Sequence, residues 1–136
     1  MTYHVPRADI QFVFEHLVDV PALLSLPGNE DLSSDLLQAV LDEGARYIEH
    51  EVAPLNRASD QFPPIKTAEG VKPTPGIKAA DAAFQQSGWQ GLQHSSEFGG
   101  QGLPKLVGAA FGESMSAACA AFALCPILTD SVIETL

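Results

Sequence analysis

A chain of 136 residues with 46% hydrophobic side chains is of single-domain size and carries enough apolar material for one buried core. Its 17 acidic residues against 7 basic ones leave a formal charge of -10 with no local Lys/Arg cluster, which argues against nucleic-acid binding. The most apolar run, Ser114 to Leu128, falls short of the roughly 20 residues of a membrane span and is interrupted by Pro126, so no span is expected.

The chain opens without an apolar core of signal-peptide length, and its two cysteines, Cys119 and Cys125, make no disulfide framework; a reducing, cytoplasmic setting is expected. Ile10, Val13, Phe14 and Leu17 fall at helical spacing after Asp9, a suitable cap. A second apolar patch, Val20, Leu23, Leu24 and Leu26, precedes a loop at Gly28-Asn29-Glu30-Asp31, and residues 1–30 read as an amino-terminal extension. The clearest helix spans 34–59, with capping-box spacing at Asp35 and Gln38 and the stripe Leu37, Val40, Leu41, Ala45, Ile48, Val52 and Leu55. Pro54 predicts a kink or an end within it.

Residues 61–75 hold Pro63, Pro64, Gly70, Pro73 and Pro75 without strand-like alternation and read as a surface connection. Thr74 as cap and Pro75 at the first helical position predict a helix over 74–88, with Trp89 folding back on it. A glycine-rich connection leads to a helix over 104–124, rich in small residues, and Pro126 opens a last helix over 126–136. With no half-buried strand pattern anywhere, five or six helices predict an all-α bundle, residues 1–136 forming one domain.

Chemistry-bearing residues are sparse. His4, His16, His50 and His94 are scattered and lack the paired spacing of a metal site, so no metal is expected and a solvated polar face is the better reading. Cys119 and Cys125 sit in apolar surroundings with no base nearby, as packing thiols do. Gly99-Gly100-Gln101-Gly102 follows no strand and lacks a phosphate-loop lysine, which favours a structural turn. Among carboxylates, Glu97 lies beside that turn and Glu113 lies in the small-residue helix, where burial would demand a partner.

Gly88-Trp89-Gln90-Gly91-Leu92, Ser96-Glu97-Phe98-Gly99-Gly100-Gln101-Gly102-Leu103-Pro104 and the following helix with Glu113 together resemble the amino-terminal helical domain of acyl-CoA dehydrogenases. Glu51-Val52-Ala53-Pro54-Leu55-Asn56-Arg57 resembles that domain's long helix, which carries on past its proline. The opening Tyr3 to Val13 and the segment Cys125 to Thr129 are similar to the methylthiopropanoyl-CoA dehydrogenase branch. The resemblance implies an FAD-dependent α,β-dehydrogenation of an acyl-CoA thioester, of the kind used in fatty acid metabolism. A carboxylate takes the α-proton and the flavin takes a hydride.

It also implies that a middle flavin-holding domain and a carboxyl-terminal domain with the catalytic glutamate lie outside these residues. This chain then carries no catalytic residue, is not expected to hold a cofactor or turn over alone, and belongs to a homo-oligomer. By position, the resemblance places Phe122, Cys125, Leu128 and Thr129 against the acyl pocket; ordinary core packing is the alternative for them. Three roles follow: a dehydrogenase domain, favoured because Val132, Ile133 and Leu136 are left without obvious cover, a subunit completing a split dehydrogenase, or a helical module dimerising through its exposed apolar face.

Overall fold

Helical periodicity governs most of the chain in the computed structural model, which describes residues 3–136; Met1 and Thr2, at the start of the expected extension, lie outside the described residues. The fold is all-α. Helix α1 (Arg7–His16) starts two residues before Asp9, which sits in its first turn where its charge favours the helix dipole rather than capping. Val5 N–H donates to Glu49 Oε1 at 2.9 Å and Arg7 Nη2 to Oε2 at 3.1 Å, tying the start of the chain to the long helix. In α2 (Val20–Leu24) the Asp19 carboxylate accepts the Ala22 amide, a side-chain cap.

Helix α3 (Ser34–Tyr47) is capped by Ser33, whose Oγ accepts from Leu36 N–H, and not by Asp35. Pro54 neither ends nor breaks this helix. The chain widens into a π turn at Ile48–Val52, where Ala53 N–H reaches back five residues to the Ile48 carbonyl, and continues as α4 (Ala53–Gln61). The wider turn absorbs the donor that Pro54 lacks, and Ile48 and Val52 remain fully buried.

The expected irregular connection contains a hairpin, β1 (Ile65–Thr67) pairing antiparallel with β2 (Gly70–Lys72) in the register Ile65 to Lys72 and Thr67 to Gly70. Every residue of it is exposed, so neither face needs apolar side chains and no alternation marks it. Helix α5 (Ile77–Gln86) begins later than the Thr74-Pro75 signal. Thr74 is buried and spends its hydroxyl on the Phe62 carbonyl at 2.8 Å, closing the hairpin segment, while Gly76 enters the helix at φ +89°.

The largest departure lies in the last two helices. Helix α6 (Lys105–Ala118) ends one residue before Cys119, which is extended at φ -158° and ψ 94°, and α7 (Ala120–Ile133) runs straight through Pro126. The break is therefore at Cys119 and not at Pro126. The Cys119 carbonyl accepts the amides of Phe122 and Ala123 to start α7, and α6 and α7 pack on one another. An aromatic chain joins the elements: Phe122 meets Phe84 edge-on at 6.0 Å, Tyr47 lies 6.1 Å from both Phe84 and Trp89, and Trp89 stacks on Phe111 at 4.9 Å. Each such buried ring contributes about 1.5–3 kcal/mol by removal from water.

Candidate functional site

Helix α7 carries two unlike faces. At about 100° per residue, Phe122, Ala123, Pro126 and Asp130 share one side, while Ala121, Leu124, Cys125, Leu128 and Val132 share the other. The first three of the former are buried; Leu124, Leu128 and Val132 are 59%, 65% and 59% exposed. Large apolar side chains repeated along one helix face form a surface suited to an apolar ligand or another protein segment.

The four residues expected at the acyl pocket divide between these faces. Phe122 lies in the core against Phe84, whereas Cys125, Leu128 and Thr129 are exposed, with the Thr129 hydroxyl donating to the Cys125 carbonyl at 3.3 Å. Glu97 and Glu113 are also exposed, so neither needs a buried partner. The outward face of α7 thus offers contact area and no acid or base.

On its inward side, α7 is held by a polar cluster that the sequence reading did not find. Gln90 Nε2 donates to Asp130 Oδ1 at 2.7 Å and lies 3.4 Å from the Pro126 carbonyl, the turn where the proline falls. His94 Nε2 meets the same Asp130 oxygen at 2.8 Å, and its Nδ1 is 3.7 Å from Glu134. Glu134 pairs with Lys105, whose ammonium holds the Glu134 carboxyl below the usual carboxylate range. His94 is 9% exposed and paired, which corrects its reading as part of a solvated face. A signal was present: between Ser114 and Leu136 the only charged residues are Asp130 and Glu134, one helical turn apart.

Beside this cluster lies a cleft of about 740 Å³ lined by His94, Phe98, Gly99, Gly100, Ile133 and Leu136 among others. Its glycine turn is built for close approach rather than for anions. A Cβ at Gly100 would come 2.1 Å from the His94 carbonyl oxygen. The amides of Gly99, Gly100, Gln101 and Gly102 donate to the carbonyls of Ser96, Ser95, Gly91 and His94, leaving none for a phosphate. Among the described residues, no group of three or more His, Cys, Asp or Glu side chains is placed to hold a metal ion, and no helix is long and apolar enough to cross a membrane.

No family model matches the chain. Along its whole length, however, it is 39% identical over 137 aligned positions to 3-methylmercaptopropionyl-CoA dehydrogenase of Ruegeria pomeroyi. The chain is similar to part of an acyl-CoA dehydrogenase. It spans 23% of that relative's length. In this chain the motifs that carried the resemblance are packing devices. Trp89 of the first fills the core against Phe111, and the glycines of the second turn the chain over His94 into α6.

Proposed function

We propose that the chain is the amino-terminal helical domain of an FAD-dependent acyl-CoA dehydrogenase, in which the outward face of α7 walls the acyl pocket. The identity extending along the whole chain carries this reading. The exposed stripe Leu124, Leu128 and Val132, flanked by Cys125 and Thr129, supports it physically, because an acyl site is lined mainly by apolar side chains that displace water.

The glycine turn does not offer a site for a flavin's phosphates. Those phosphates need free amides or cations, whereas the glycine-turn amides are already bonded and Lys105 is paired with Glu134. We place FAD and the catalytic base on other segments of the enzyme, on the same chain or on a separate subunit, in a cytoplasmic homo-oligomer. This domain's share is to bind and orient the acyl chain and to exclude water.

The test is complementation. The Ruegeria relative lacking its corresponding segment is assayed with this chain supplied in its place, following acyl-CoA-dependent reduction of an artificial electron acceptor. Recovery of turnover, with no flavin retained by this chain alone, is the expected result. A tight, colourless self-dimer that leaves the relative inactive would overturn the proposal in favour of a dimerisation module.

A further inference from the structure

From Ile127 to Leu136 no side chain is buried: Leu128, Val132 and Leu136 are 65%, 59% and 102% exposed, and Ile127 and Ile133 are at least two-fifths so. This stretch follows Pro126, which cannot donate to the Phe122 carbonyl and so weakens the helix at its midpoint. What secures the stretch to the body is polar. Asp130 accepts from Gln90 and pairs with His94, and Glu134 reaches His94 and Lys105.

Asp130 continues the buried line of Phe122, Ala123 and Pro126, and lies about 160° around the helix from Leu128. Its grip therefore fixes the rotation of α7 about its own axis beyond the proline. We propose that Asp130, clasped by Gln90 and His94, is the positioning residue that sets the Leu128 and Val132 face toward the acyl chain. It touches no substrate and acts through the helix it holds. The link to acyl binding rests on the reading of α7 as a pocket wall; the hold on α7 does not.

Amide hydrogen exchange and kinetics test the two parts separately. In Asp130→Ala, amides of residues 127–133 are expected to exchange at least about tenfold faster, because hydrogen bonds to an ionised carboxylate are lost, while those of residues 107–115 stay unchanged. Asp130→Asn, which keeps an oxygen acceptor, restores most of the protection. No change in α7, or an equal rise across α6 and α7, overturns the positioning role.

In the complemented dehydrogenase, Asp130→Ala is expected to raise KM for acyl-CoA about tenfold with kcat changed less than about twofold, the pattern of lost substrate binding. An unchanged KM overturns the link between the clasp and the pocket. Absence of activity with the unaltered chain overturns the pocket reading itself, and the exchange result alone then decides whether Asp130 holds α7.

Discussion

Trp89 and Phe111 stack with ring centroids 4.9 Å apart and planes inclined by 19°, and Gly44 of α3 leaves the space in which they do so. A Cβ at Gly44 would lie 2.8 Å from Phe111 Cδ2 and 3.7 Å from Trp89 Cη2. Gly44→Ala gains about 1 kcal/mol of helix propensity, against an overpacking cost of about 1–3 kcal/mol. Since Trp89 lies against the Phe111 ring, the ring has little freedom to yield, and the expected net effect is a loss of about 1 kcal/mol. Urea unfolding followed by the fluorescence of Trp89, the only tryptophan, measures it. An unchanged midpoint would mean that Phe111 gives way.

Two adjacent glycines separate backbone strain from backbone collision. Gly99 sits at φ +85° with nothing within 4 Å of a would-be Cβ, so Gly99→Ala is expected to cost only the left-handed strain, about 1–2 kcal/mol. Gly100 has no unusual φ, yet its Cβ would strike the His94 carbonyl oxygen at 2.1 Å, and neither main chain can swing aside like a side-chain tip. Gly100→Ala is expected to cost about 3 kcal/mol or more. Equal midpoints for the two variants would refute the collision.

The parts of the fold legible in sequence are those where burial writes a period. The Leu37 to Leu55 stripe announced the long helix because one face of it packs in the core, and Gly88, at φ +74°, marked the end of α5. The hairpin at 65–72 was invisible because both its faces meet water. Pro126 read as a break because an interior proline usually costs about 3 kcal/mol, but here its ring is buried in the core and the helix continues through it. Cys119 gave no warning, since one modest helix former among strongly helical alanines marks no boundary, and the break belongs to tertiary packing. The Asp130 and Glu134 spacing marked one half of the polar clasp, but His94 lies 36 residues from Asp130, beyond any local spacing rule that could name the partner.

Tyr47 couples the core to alkaline pH. Its hydroxyl donates to the Ala80 carbonyl at 3.0 Å, and burial, then the nearby Glu51 and Asp81 charges, raise its pKa well above the ordinary 10.0. A raised folded-state pKa gives stability that is fully present below the unfolded value and is lost as pH rises from there through the folded value. Stability is therefore expected to hold up to about pH 10 and to fall beyond it, with a slope approaching about 1.4 kcal/mol per pH unit. Tyr3 is raised as well, by burial and by Glu113 and Glu49, but it is only partly buried and adds less. Tyr47→Phe should lose about 1 kcal/mol at neutral pH and most of the alkaline fall. Urea midpoints across the alkaline range decide this, and an undiminished fall in the variant would remove Tyr47 as its source.

Phe122 and Leu128, both placed at the acyl pocket by the family resemblance, should answer to different assays. Phe122 is 5% exposed and wedged edge-on against Phe84, so Phe122→Ala opens a cavity and is expected to cost about 3–5 kcal/mol. Leu128 is 65% exposed and supports nothing in the core, so Leu128→Gln should shift stability by less than about 0.5 kcal/mol. If the outward face of α7 walls the pocket, Leu128→Gln instead raises KM for acyl-CoA in the complemented dehydrogenase, because an amide facing an apolar chain loses its water without gaining a partner. Stability curves and KM values measured on the same pair of variants separate the two roles. A Leu128→Gln enzyme with unchanged KM would take this face of α7 away from the acyl chain and leave it as a docking surface.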